Sequence, residues 1–137
     1  MPKCKIKSEA KANIEILGYQ SFEELRKYMQ AAKALVFAAE EDFGILPVEV
    51  QACGTPVIAY GKGGATETVI EGQTGLFFNE QSERAIIEAV KKFESEQDRY
   101  EPSVIRAHTE KFAPEMFRSQ MEEFVTRKYS DFLEKGR

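Results

Sequence analysis

Glu41 and Glu49 stand eight positions apart in the segment E-D-F-G-I-L-P-V-E, with a glycine and a proline between them. Two carboxylates at that interval can accept hydrogen bonds from hydroxyl groups of a polar ligand. Pro47 suits the first turn of a helix, where its missing N–H is not needed, and Gly44 lets the backbone turn closely around a ligand. The unpaired amides near residues 43–48 would then face an anion, with the helix dipole behind them. A carboxylate is a poor phosphate ligand. Glu49, expected in the first turn of that helix, fits better as an acceptor for sugar hydroxyls beside a phosphate, as the acidic residue does in dinucleotide folds. On spacing alone, a plain helix-start role for Glu49 and a capping or solvated role for Glu41 stand equally beside that reading.

A second candidate is Gly61-Lys62-Gly63-Gly64, which follows one apolar run and precedes a short helical stretch over 65–70. Backbone amides of such a loop can approach a phosphate or sugar closely. G-x-G-G-x-x-E is not a dinucleotide fingerprint, and taken alone it reads as a flexible turn.

Both segments need a frame. Short apolar runs at 34–37, 56–60 and 76–78 predict buried strands, and I-E-I-L at 14–17 predicts another, ending at Gly18. Ser21 with Glu24 three places on predicts a capping box and a helix to about Ala32. A motif helix is expected over about 47–52, ending at Gly54. Ser82 opens a helix with Ile86, Ile87, Val90 and Phe93 on one face. Residues 95–102 read as a loop or frayed helix end. Phe117, Met121, Phe124, Val125 and Phe132 predict a long terminal helix over 114–137. Strand and helix alternate as in a parallel α/β sheet, so the fold class is α/β, a Rossmann-like parallel sheet flanked by helices, in which ligands bind at the strands' carboxyl edge.

E-D-F-G-I-x-P-x-E, then A-C-G-T-P-V-I-A, then G-G-x-x-E resembles the donor-binding half of retaining GT-B glycosyltransferases, the nucleotide-sugar-dependent family with the E-x(7)-E signature. The resemblance runs from about Asn13 to about Phe132. It implies that Glu49 holds the ribose hydroxyls of the nucleotide and that Glu41 lies near the transferred sugar as the catalytic-site carboxylate. It implies that Phe43, Gly44 and Ile45 offer amides to sugar and diphosphate. Gly63 and Gly64 belong to the second donor loop, and Glu67 matches the glutamate of G-G-x-x-E. The implied reaction is sugar transfer with retention of configuration and no agreed protein nucleophile. It needs no metal and no cofactor beyond the nucleotide-sugar substrate. The E-D-F-G-I form looks similar to mannosyltransferases of polysaccharide biosynthesis, which favours GDP-mannose. A glycosidase-type acid/base pair would misread the spacing.

The match is partial. Nothing here resembles the N-terminal acceptor-binding domain of that family or the first strands of the donor domain, with their glycine-rich turn and basic pair. Lys3, Lys5, Lys7 and Lys11 lack the strand–turn–helix setting for a phosphate clamp and read as a solvated basic start. Residues 1–137 are therefore expected to be a single, truncated donor-binding domain, lacking transfer activity by itself. A glycan or glycolipid acceptor would be held by a missing N-terminal domain or a separate chain. Two other readings stay open: a non-catalytic nucleotide-sugar-binding module, and a non-enzymatic remnant or interaction protein using the terminal helix. The resemblance places that helix against a neighbouring domain, while Phe117 and Met121 are expected to pack on the chain's own sheet.

Composition sets bounds. With 137 residues, 42% hydrophobic and 31% charged, one domain is the prior. A net charge of −4 gives no electrostatic case for nucleic acid or an acidic membrane. No apolar run reaches the length of a membrane span, and the opening residues do not resemble a signal peptide, so a cytoplasmic location is expected. Two cysteines, Cys4 and Cys53, make no disulfide framework, and Cys53 reads as a small buried residue. One histidine, His108, offers no metal spacing and is expected at the surface.

Overall fold

Three of the apolar runs become parallel strands: β1 (Leu35–Phe37), β2 (Val57–Tyr60) and β3 (Gly75–Phe78), ordered β1-β2-β3. A computed structural model describes residues 10–135. Lys3, Cys4, Lys5 and Lys7 lie outside the described residues, and Lys11 is exposed, its carbonyl accepting the Ile14 amide at 2.9 Å. The register pairs Leu35 with Val57 and Val57 with Gly75. β2 is buried at all four positions, as a central parallel strand covered on both faces must be. Its side chains alternate. Ile58 and Tyr60 join Leu76, Phe78, Ala89 and Phe93 in one core cluster, while Val57 and Ala59 join Phe37, Val50, Ala65 and Val69 in the other.

Helices form the outer layers: α1 (Phe22–Ala31), α2 (Ile45–Ala52), α3 (Ala65–Thr68), α4 (Glu83–Ser95), α5 (Pro102–Thr109) and α6 (Pro114–Lys135). Ser82 caps α4, its hydroxyl accepting the Ala85 amide at 3.3 Å. Ser21 caps α1 in the same way through Glu24 at 3.2 Å. The capping box is only half formed, because the Glu24 carboxylate pairs with Lys27 at 2.7 Å.

Four expectations change. Residues 14–17 form no strand: a strand is held by ladder hydrogen bonds to a neighbour, and among the described residues none lies beside them. Ile14, Ile16 and Leu17 stay partly exposed, as does Val36 on the outer strand β1. The polar stretch 95–102 contains a 3₁₀ turn (Gln97–Arg99) that leads into α5, with Pro102 opening its first turn. Phe117 and Met121 do not pack on the sheet. They are 61% and 44% exposed, and α6 buries no residue at all. His108 is half-buried, because α5 turns its last residues onto α3.

Candidate functional site

The loops after β1 and β2 leave the same edge of the sheet and lock together through their backbones. Gly64 donates its amide to the Glu41 carbonyl at 2.7 Å. A Cβ on Gly64 would fall on the Phe43 Cα and carbonyl oxygen, and one on Gly63 would meet the Glu41 carbonyl. Both positions therefore require glycine, Gly63 doubly so, since its φ is +65°. This contact explains the glycine pair: side chains there would hold the two loops apart.

Gly44 is the N-cap of α2, with φ 77° and ψ 80° in the left-handed region. Its turn starts the helix at Ile45, two residues before Pro47, so Glu49 lies in the second turn and not the first. No side chain caps α2. The first-turn amides of Ile45 and Leu46 have no intrahelical acceptor, and Pro47 adds no further donor. The start of α2 thus presents uncapped N–H groups beside the docked glycine loop, an arrangement that favours an anion.

The structure brings Glu41, Phe43, Gly44, Ile45, Gly63 and Gly64 onto two touching loops, with Glu67 on the following helix, α3. Glu41, Glu49 and Glu67 are exposed, and among the described residues their carboxylates make no hydrogen bond or ion pair. Glu49, in the second turn of α2, is exposed and lines two open grooves. One, of about 420 Å³, runs toward α1 past Arg26, Cys53 and Arg106. The other, of about 950 Å³, runs past Phe43, Ile45 and Phe112 to Phe117. Cys53 is half-buried at the C-cap of α2.

Two features were not legible in the sequence. Lys62 is the one cation on the two loops, which also carry Glu40, Glu41 and Asp42. Its ammonium lies 5.6 Å from the Tyr60 ring centre. The Tyr60 hydroxyl first, and then the charge of Glu40, raise its pKa above the ordinary lysine value. Behind the first loop, Phe43 meets Phe112 edge-on at 5.8 Å, and Phe112 meets His108 edge-on at 5.9 Å. Among the described residues no cluster of His, Cys, Asp or Glu could hold a metal, and no helix is long and apolar enough to cross a membrane.

Comparison with known proteins agrees with this architecture. The family described as "Glycosyl transferases group 1" matches residues 3–110. Sucrose-phosphate synthase from Thermosynechococcus elongatus superposes with a TM-score of 0.73 at 30% identity, over 85% of this chain and 30% of that one. The Anabaena protein HepE, solved with UDP-glucose, superposes with a TM-score of 0.67 at 26% identity, over 90% of this chain and 35% of its own. The alpha-1,3/1,6-mannosyltransferase alg-2 of Neurospora crassa is 50% identical over 48 residues, 34% of this chain and 10% of that protein. The curated relatives are much longer than the stretches matched, which span 10% to 19% of them. The chain belongs to the group 1 glycosyl transferases, and its sheet is that of GT-B glycosyltransferase structures.

Proposed function

From membership of the group 1 glycosyl transferases, we propose that these residues form the nucleotide-sugar-binding part of a retaining sugar transferase. The observation that carries the proposal is the backbone lock between the two loops, which sets the uncapped start of α2 against the glycine pair. The charged side chains of these loops are mostly acidic, so the donor's diphosphate is held by amides of Phe43, Gly44 and Ile45 and by the helix dipole, not by side-chain charge. Gly63 and Gly64 let the second loop dock on the first and so hold those amides in place. Glu41 positions the transferred sugar, Glu49 accepts the ribose hydroxyls, and Glu67 steadies the second loop. Stabilisation of the departing diphosphate is electrostatic, and no protein nucleophile is assigned.

The matched GT-B chains are about three times longer than the part this chain covers. The acceptor, a glycan or glycolipid, is therefore assigned to a second domain or chain, and these residues alone bind donor without transferring sugar. The setting proposed is cytoplasmic polysaccharide biosynthesis. GDP-mannose is the favoured donor, from the E-D-F-G-I motif and the likeness to a mannosyltransferase. The HepE complex makes UDP-glucose the competing donor. A module that binds donor and takes no part in transfer is the second reading, favoured by the high exposure of Glu41 and Glu49.

Calorimetric titration with GDP-, UDP- and ADP-sugars tests the proposal. Saturable binding that Glu49→Ala weakens by at least tenfold is expected. Robust sugar transfer by the purified chain alone would overturn the division of labour, and absence of binding by the folded chain would overturn the site.

A further inference from the structure

α5 is fastened at both ends. At its start, Pro102 packs on Gly54, where a Cβ would meet the Pro102 Cβ at 3.1 Å and the Pro102 carbonyl at 3.2 Å. One turn on, the Arg106 guanidinium donates to the Cys53 carbonyl at 3.4 Å. Both contacts grip the carboxyl end of α2. At the other end, His108 Nε2 lies 3.0 Å from the Thr68 carbonyl, the last carbonyl of α3. Between them Ile105 is fully buried. α5 is thus a strut joining the far ends of the two helices that begin at the two loops of the candidate site.

We propose that His108 is the positioning residue that sets the spacing of those loops. A carbonyl only accepts, so Nε2 must carry the proton and donate it to Thr68. Thr68 is fully buried at the end of a four-residue helix, where its carbonyl has no intrahelical partner. His108 therefore supplies a bond that α3 cannot supply itself, and fixes how far α3 and Gly64 stand from α5. The same ring, through Phe112, backs Phe43 of the first loop. One side chain thereby touches the helix of the second loop directly and the first loop through a single intermediary. A lone histidine on a short polar helix gives no sign of this, because its partner lies forty positions away.

The proposal rests on the donor-binding reading for its functional consequence, but its structural core can be read independently. Three variants of the full chain separate the contacts. His108→Phe keeps a ring against Phe112 and removes the donor. His108→Gln keeps a side-chain N–H donor and removes the ring. Phe112→Ala breaks the bridge to Phe43 and leaves the hydrogen bond. Amide hydrogen exchange is followed at 64–69 and backbone amide NMR shifts at 41–46, with titration by UDP-glucose and GDP-mannose alongside.

In His108→Phe, which keeps a ring, exchange is expected to rise at 64–69 and the nucleotide-sugar Kd to weaken about fivefold to tenfold, the effect of one neutral hydrogen bond. His108→Gln should keep protection at 64–69 and shift the 41–46 amides, and Phe112→Ala should shift the 41–46 amides alone. Amides of 41–46 left unshifted in His108→Gln would overturn the proposal, since His108 would then only cap α3. Unchanged exchange at 64–69 in His108→Phe would overturn it as well. If the exchange pattern appears but neither nucleotide sugar binds to wild type, the strut stands and the donor assignment fails.

Discussion

Replacing Gly64 by alanine probes the loop lock directly, because contact alone is at stake there. Gly64 has φ −61°, a value any residue adopts, so no backbone strain is added. The new Cβ would lie 2.5 Å from the Asp42 carbonyl oxygen and closer still to backbone atoms of Phe43. Backbone cannot rotate aside, so the loops must part by about 1 Å to reach van der Waals contact. That movement breaks the Gly64–Glu41 hydrogen bond and leaves buried polar groups unpaired, costing about 2–4 kcal/mol. For a chain of this size the melting temperature should fall by roughly 10 °C. Gly18 supplies the comparison: its φ is +70° but its Cβ position is open, so Gly18→Ala should cost only about 1 kcal/mol. Gly63 combines both causes and should be the most damaging of the three. Thermal and urea unfolding give the stabilities, and nucleotide-sugar titration gives the site's response. A Gly64→Ala chain within about 0.5 kcal/mol of wild type, with unchanged affinity, would refute the reasoning.

Tyr100 is 6% exposed, and among the described residues its hydroxyl has no partner. Tyr100→Phe should therefore stabilise the chain by roughly 1 kcal/mol in urea unfolding. Burial first, then the charges of Glu96 and Glu71, raise the Tyr100 pKa. The folded state thus favours the neutral phenol, and its contribution, full below the unfolded value of about 10, is lost as pH rises through the folded one. Tyr100→Phe should flatten that alkaline decline in a pH series of melts. Leu76 is fully buried between the sheet and α4, and Leu76→Ala should cost about 2–5 kcal/mol by chemical denaturation. Ser82→Ala should cost about 1 kcal/mol in the same assay. Ser21→Ala, at the cap of a helix that buries nothing, should show only local fraying by hydrogen exchange.

The sheet was legible because β1, β2 and β3 are short apolar runs, β2 set between Pro56 and Gly61, and each has a neighbour to pair with. Residues 14–17 carry the same pattern and stay irregular, since alternation reports what a strand could bury and not whether a partner is present. α5 carries little apolar periodicity because only Ile105 of its eight residues is buried, although Pro102 at its start and Arg106 and His108 in its last turn are ordinary end signals. α6 was predicted as a helix, but its periodicity could not say what the stripe faces, and Phe117 and Met121 face outward. The first-turn position expected for Glu49 failed because Gly44, not Pro47, starts α2. The candidate site residues were readable as types and spacing. Their mutual contact was not, because the Gly64–Glu41 bond joins segments over twenty positions apart.

Backbone amide shifts of the labelled chain, followed by NMR during titration with GDP-mannose and UDP-glucose, test the central claim most directly. The account predicts saturable shifts centred on Phe43, Gly44, Ile45, Gly63 and Gly64, with Glu49→Ala weakening the response. Shifts centred elsewhere, or none in a chain whose spectrum is that of a folded protein, would contradict it.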